Sequence, residues 1–158
     1  MQQYPPNIEH IDQDMLKVEV NLDDTPGEWL GYVMEKLFDA GANDVYYTPI
    51  YMKKNRPAVQ LQLLCSKELL TEIQSILLKE TTTLGIRYYP ITVFRMERRT
   101  RKIKLKWGEV TLKEGLQDGT VVKVSPEYED CRLLAEKYGI PLKDVYAAVW
   151  RQIEVGTT

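Results

Sequence analysis

The stretch Leu16-Lys17-Val18-Glu19-Val20-Asn21-Leu22-Asp23-Asp24-Thr25-Pro26-Gly27-Glu28 decides how the chain folds. Its first part alternates: Leu16, Val18, Val20 and Leu22 are apolar, Lys17, Glu19 and Asn21 polar. That is the pattern of a half-buried strand over residues 15–22. Two adjacent acids follow. Thr25-Pro26-Gly27-Glu28 then fits a capping box, with Thr25 as N-cap, Pro26 at the first helical position and Glu28 at the third. Trp29, Leu30, Val33, Met34, Leu37 and Phe38 recur at helical spacing, and Gly41 is placed to end the helix. A strand-to-helix junction aims backbone N–H groups at anions and presents carboxylates to a cation.

Working outward, a second strand is expected over residues 44–52, with Pro49 marking an edge or a bulge. A third alternates over residues 58–65 as Val59, Leu61, Leu63 and Cys65. Ser66 is placed to cap a second helix carrying Leu69, Leu70, Ile73, Ile76 and Leu77. Thr81-Thr82-Thr83 frays that helix, and a fourth strand is expected over residues 84–96. The order β-α-β-β-α-β is the ferredoxin-like arrangement, an α+β class. Residues 15–97 form this subdomain, and residues 1–14 read as a disordered tail or linker. Residues 98–158 read as a small basic β-meander plus two C-terminal helices. In that part Ile103, Leu105 and Trp107 alternate with Lys102, Lys104 and Lys106; Trp107-Gly108 and Asp118-Gly119 signal turns; Ser125-Pro126 is placed to cap a helix that Gly139 ends.

Composition excludes several classes. The net charge is -2, which gives no global basic field for nucleic acid or anionic membrane. No apolar run approaches a membrane span, and the opening residues lack a secretory pattern, so a cytoplasmic setting is expected. The only histidine is His10, which rules out a histidine triad or a multi-histidine metal site within these residues. Cys65 and Cys131 do not call for a disulfide; Cys65 fits a core position.

The residues with chemistry fall in three groups. Asp23 and Asp24 can both reach one hard cation, since Mg²⁺ is typically held by one or two carboxylates plus substrate phosphates. They equally fit a turn acid and a charge near a helix N-terminus. Lys53, Lys54 and Arg56 sit with Asn55 in a loop that could clamp a polyphosphate or form a solvated hairpin tip. Arg87, just after Gly85, is a third phosphate contact or an edge-strand charge, and Glu80 a weaker metal candidate. The basic run from Arg95 to Lys106 could bind nucleic acid, line an acidic-substrate pocket, or be a solvated ribbon. The lack of aromatics in the third strand argues against RNA binding, because the RNA-binding variant of this topology stacks bases on sheet aromatics. Glu127, Glu129 and Asp130 suit a helix N-terminus or meet the ribbon or a metal.

Several spaced motifs resemble one family. Asn21-Leu22-Asp23-Asp24, Gly31-Tyr32-Val33-Met34-Glu35-Lys36-Leu37, Ala40-Gly41-Ala42-Asn43-Asp44-Val45 and Thr48-Pro49-Ile50-Tyr51-Met52-Lys53-Lys54-Asn55-Arg56-Pro57 are similar to the C-terminal region of the LarC nickel insertases. So are Glu80-Thr81-Thr82-Thr83-Leu84-Gly85-Ile86-Arg87 and Pro126-Glu127-Tyr128-Glu129-Asp130-Cys131. The resemblance implies insertion of nickel into pyridinium-3,5-bisthiocarboxylic acid mononucleotide, coupled to hydrolysis of CTP to CMP and pyrophosphate with Mn²⁺ or Mg²⁺. It places CTP binding in this region and implies the N-terminal region of such a protein as a partner. Nickel prefers imidazole and thiolate ligands, so Ni²⁺ is expected to be held mainly outside this chain. The expected site sets Asp23 and Asp24 on the metal and Lys53, Lys54, Arg56 and Arg87 on the triphosphate. A homo-oligomer, trimer or hexamer, is expected, because Trp107 near the tip of the ribbon has little to pack against in a monomer. The competing expectation is a non-catalytic nucleotide-sensing or oligomerisation module.

Overall fold

The computed structural model of the chain describes residues 10–155. The elements run β1 (His10–Leu22), α1 (Gly27–Asp39), β2 (Asp44–Met52), β3 (Arg56–Ser66), α2 (Leu70–Glu80), β4 (Arg87–Arg95), β5 (Glu97–Leu105), β6 (Gly108–Gln117), β7 (Thr120–Pro126), α3 (Tyr128–Tyr138) and α4 (Leu142–Val155). This mixed α/β chain divides into two units, Ile11–Phe94 and the residues from Arg95 onward.

In the first unit the strand order is β2-β3-β1-β4, and β3 runs antiparallel to both β1 and β2. The two-residue period of β1 sends Leu16, Val18, Val20 and Leu22 into a core with Leu61, Leu63 and Cys65 of β3. Val33 and Leu37 of α1 and Ile73 and Leu77 of α2 close that core, so both helices pack on one face of the sheet. Truncating a fully buried side chain such as Leu37 to Ala costs about 2–5 kcal/mol. The other face carries the polar set of β1, Lys17, Glu19 and Asn21, beside Gln60 and Gln62 of β3. Pro49 lies in β2, an edge strand, where a missing N–H is tolerated.

Several local expectations are corrected. Strand β1 starts at His10, so residues 10–14, read as tail, are strand; their run of Asp and Gln gives no strand propensity, which hid the extension. The rest of the expected tail lies outside the described residues. The capping box does not form: Pro26, not Thr25, is the N-cap of α1, and no side chain caps it. With the helix starting at Gly27, the Thr25 hydroxyl is turned to another partner, described below. Ser66 likewise makes no capping hydrogen bond. Trp29 and Phe38 are 50% and 45% exposed, because they flank the inward stripe of Leu30, Val33, Met34 and Leu37. Gly41 does end α1: at φ 96° it lets its own N–H reach the Phe38 carbonyl while Ala42 N–H reaches that of Leu37, a Schellman closure.

The second unit is an antiparallel meander, β5-β6-β7. Asp118 and Gly119 both have positive φ, as a type I′ hairpin turn requires. Ile103, Leu105, Val110 and Leu112 pack against Cys131 and Leu134 of α3 and Val145 and Val149 of α4. Trp107 also packs on this core, so its burial needs no second subunit. Ser125 and Pro126 belong to β7 and do not cap α3, whose N-cap is Glu127. Instead α3 is tied to β6: Glu127 N–H donates to the Thr111 carbonyl at 2.8 Å, and Thr111 N–H donates to the Asp130 carboxylate at 2.7 Å. The acids at the start of α3 therefore do meet the ribbon. Both cysteines are free and buried.

Candidate functional site

The polar face of the first unit converges on the end of β1. Arg56, at the start of β3, donates from Nη1 to Asp23 Oδ2 at 3.2 Å. Arg87, at the start of β4, donates from Nη2 to Asn21 Oδ1 at 2.7 Å, and the same Asn21 oxygen accepts Gln60 Nε2 at 3.1 Å. Arg87 Nε lies 3.8 Å from Glu19 Oε2. Glu19 is held in turn by the Tyr89 hydroxyl at 3.0 Å and Lys17 Nζ at 3.3 Å. Glu19 and Asn21 of β1 and Asp23 just beyond its end thus form a rail of acceptors that positions two guanidinium groups. Gln62, buried at 6% exposure, is tied to β2 instead, accepting from the Tyr46 hydroxyl and donating to Thr48.

Asp24 turns another way. The Thr82 hydroxyl donates to Asp24 Oδ1, so the hydroxyl of Thr25, 2.6 Å from Thr82 Oγ1, donates to Thr82. This relay docks the segment after α2 onto the β1–α1 junction. Thr81 caps α2 by donating to the Leu77 carbonyl at 2.7 Å. Lys53 and Lys54 are exposed on the turn between β2 and β3, where Lys54 and Asn55 take left-handed φ of 62° and 56°. Glu80 is engaged by Lys36 at 2.8 Å, and that hydrogen bond together with Tyr32 holds the lysine above its usual range.

Of the expected residues, Asp23 and Arg56 are therefore in direct contact, Arg87 is two strand positions away through Asn21, and Asp24 faces the threonine relay. Sequence reading missed Asn21, Glu19, Thr25 and Thr82 as site-building residues. The signal was available for Asn21 and Glu19, since both alternate with the buried positions of β1 on the same face as Asp23.

No group of three or more His, Cys, Asp or Glu side chains among the described residues forms a ready metal cage. Asp23 and Asp24 carry oxygen donors of the kind a hard cation accepts, the first held by Arg56 and the second by Thr82. Nickel prefers thiolate and imidazole donors, and among the described residues the polar set around Asp23 is made of carboxylates, amides, hydroxyls and cations. Burial pushes both the Cys65 and Cys131 thiols up, so neither offers a thiolate at neutral pH.

In the second unit Glu114 is 3% exposed and pairs with two arginines of the basic run, Arg99 Nε at 2.6 Å and Arg101 Nε at 2.5 Å. Burial pushes its carboxyl up, but hydrogen bonds from Arg101 and Arg99, with their charges, outweigh this and hold it below the usual glutamate range. Lys102 pairs with Glu109 and Lys113 with Glu127, while Lys106 lies 4.4 Å over the Trp107 ring. Of the basic run, Arg99, Arg101 and Lys102 are thereby paired with carboxylates.

Comparison with known proteins gives this geometry a setting. The family model "Nickel insertion protein" matches residues 6–146. A pyridinium-3,5-bisthiocarboxylic acid mononucleotide nickel insertion protein of Thermotoga petrophila is 44% identical over 142 residues, 90% of this chain and 36% of that protein. The protein of the same description from Acetivibrio thermocellus is 46% identical over 93% of this chain and 36% of its own length. The chain thus spans about a third of the curated relatives it matches. Among solved structures, LarC2, described as the C-terminal domain of a cyclometallase involved in the synthesis of the NPN cofactor of lactate racemase, superposes with a TM-score of 0.85 at 39% identity, covering 92% of this chain and 99% of that one. A Methanopyrus kandleri protein at 24% identity and a TM-score of 0.64 shares the fold. No described helix is long and apolar enough to cross a membrane. The chain belongs to the nickel insertion protein family.

Proposed function

We propose that this chain is the CTP-binding module of a nickel insertase acting on pyridinium-3,5-bisthiocarboxylic acid mononucleotide, with CTP hydrolysed to CMP and pyrophosphate. The observation that carries the reading is the convergence of Arg56 and Arg87 with Asp23 at the end of β1. Two guanidinium groups there neutralise phosphate oxygens by charge-assisted, bidentate hydrogen bonds. Lys53 and Lys54, on the adjoining turn, add mobile point charges. Asp23 and Asp24 would hold Mn²⁺ or Mg²⁺, which supplies charge stabilisation on phosphate oxygens when bound. Asn21 and Glu19 keep Arg87 from rotating away. The relay Thr25–Thr82–Asp24 orients the Asp24 carboxylate, leaving its second oxygen for a cation or its water.

The strand order β2-β3-β1-β4 with helices on one face supports a ferredoxin-like reading of the first unit. The two edge strands support assembly as a trimer or hexamer: β2 and β4 lie at the ends of the sheet, and Tyr51 and Phe94 on them are 75% and 65% exposed. Nickel is cargo, delivered to a substrate held with the help of the remaining part of the protein. A cytoplasmic location goes with this role.

The test is calorimetric titration of CTP, ATP and GTP with Mn²⁺ present, followed by assay of CMP release. Selective CTP binding that Lys53→Ala/Lys54→Ala weakens is the expected result. Unchanged CTP affinity in that variant removes the phosphate clamp. Tight binding without turnover identifies a nucleotide-sensing module instead.

A further inference from the structure

We propose that Arg99 and Arg101, held by Glu114, form a second anion site in the meander, distinct from the Asp23 junction, and that it takes the phosphate monoester of the mononucleotide substrate. This rests on the substrate class proposed above and not on the CTP site.

The geometry is that of a built clamp. Arg99 and Arg101 lie on one face of β5, and each donates through Nε to a different oxygen of Glu114 on β6. A guanidinium bound through Nε is fixed in plane while its paired terminal nitrogens remain available as a fork. Carboxylate and phosphate accept such a fork in a bidentate fashion. Both arginine side chains are about half exposed, at 52% and 45%, while the carboxylate is 3% exposed. Glu114 is therefore the positioning residue and the arginines face solvent.

Charge decides the sign of the ligand. One buried carboxylate compensates one guanidinium and leaves one positive charge. Lys102 pairs with Glu109 and Lys113 with Glu127, while Arg98 and Lys104 occupy the alternate positions of β5 and point to its other face. The arginine pair is thus a focal point for an anion, and fixed forks favour a phosphate monoester over a lone carboxylate because several oxygens can be met at once. A carboxylate buried to 3% exposure between two arginines is costly to keep for packing alone, since well-packed apolar groups commonly do as well.

Cations and phosphate also discriminate between sources of the anion. A nucleoside triphosphate carries its charge with a metal. A pyridinium mononucleotide carries a monoester with no metal requirement. The probe is nicotinic acid mononucleotide, a pyridinium mononucleotide without the thiocarboxylates, titrated into the whole chain by calorimetry without divalent metal, with inorganic phosphate and Mn·CTP as parallel arms. The expected result is binding of the mononucleotide that weakens about tenfold or more in Arg99→Ala/Arg101→Ala, with Mn·CTP affinity unchanged. Arg99→Lys/Arg101→Lys, which keeps charge and strand packing but loses the fork, is expected to weaken it comparably, and serves if the alanine variant does not fold. Glu114→Gln should weaken the mononucleotide while both arginines remain. Absence of mononucleotide binding to the unaltered chain overturns the proposal, as does unchanged affinity in the arginine variants. Loss of Mn·CTP instead of the mononucleotide also overturns it, assigning the pair to the triphosphate. Failure of Mn·CTP to bind the unaltered chain, with the mononucleotide result intact, sinks the CTP reading alone.

Discussion

Asp23 Oδ2 and Arg56 Nη1 sit 3.2 Å apart although 33 residues separate them in sequence. The proposed metal ligand and the proposed phosphate ligand are thus each other's partner. Metal alone must compete with the guanidinium, and triphosphate alone must compete with the carboxylate. A metal–triphosphate pair satisfies both at once. Such a half-exposed ion pair is worth about 0–1 kcal/mol, so the coupling is modest. The expected outcome is that Arg56→Ala tightens Mn²⁺ binding in the absence of nucleotide by up to about fivefold while weakening Mn·CTP. Manganese electron paramagnetic resonance checks the first and calorimetry the second. Equal affinity of Arg56→Ala and the unaltered chain for free Mn²⁺ would separate Asp23 from the metal.

Asn21 should act on nucleotide affinity only through Arg87. Its Oδ1 holds that guanidinium at 2.7 Å. Asn21→Ala is expected to weaken Mn·CTP by about tenfold, the scale of a lost hydrogen bond to a charged group. In an Arg87→Ala background the same change should have no further effect. A double-mutant cycle by calorimetry reads this directly, and full additivity would contradict it.

The Glu114 carboxyl lies below its usual range in the folded chain, so its protonation opposes folding. Its contribution is fully present above the unfolded value near 4.5 and is lost as pH falls through the lower folded value. Thermal stability of the second unit should therefore decline in acid below about pH 4.5. Glu114→Gln should flatten that part of the profile. Melting followed against pH, with Glu114→Gln alongside, measures it.

Gly108 begins β6 at φ 148°, and a Cβ there would stand 2.8 Å from Leu134 Cδ2 of α3. Gly108→Ala must both strain the backbone and displace the end of the Leu134 side chain. A loss of at least about 1–2 kcal/mol is expected. Differential scanning calorimetry checks it, and Gly119→Ala, strained in φ but with nothing within 4 Å, isolates the backbone part.

Neither thiol should react with a disulfide reagent in the native chain at neutral pH, because burial raises both Cys65 and Cys131 and shields them. Both should react once the chain is unfolded in guanidinium. Rapid native labelling of either would show that burial does not shield it.

What was legible in the sequence was periodic. The alternation of Leu16 to Leu22, the spacing of Val33 and Leu37, and the Asp118-Gly119 turn each express a local rule that the fold obeys. Capping was not legible in the same way. Thr25 has the right spacing for a capping box, yet its hydroxyl goes to Thr82, and a contact across 57 residues is invisible to a local pattern. The extension of β1 to His10 escaped for a related reason: Asp12 and Asp14 carry no strand preference, and strand pairing supplies what propensity does not. The charged ribbon was legible as charge but not as pairing, because Glu114 lies on the next strand and register alone brings it to Arg99. At the junction, residue type marked Asp23 and Arg56, while Asn21 passed as one polar residue among others until Arg87 and Gln60 were found on its single oxygen.

The sheet order of the first unit bears on how the chain is made. Strand β1 lies between β3 and β4, both of which come later in the chain. On a ribosome β1 has no partner while α1 and β2 emerge, and one of its edges stays open until β4 has left the exit tunnel. The meander needs no such wait, since β5, β6 and β7 pair only with neighbours in sequence. Non-local pairing is slow to form and leaves apolar edges exposed in the meantime. Nascent chains halted between α2 and β4 are therefore the ones that chaperones should hold longest.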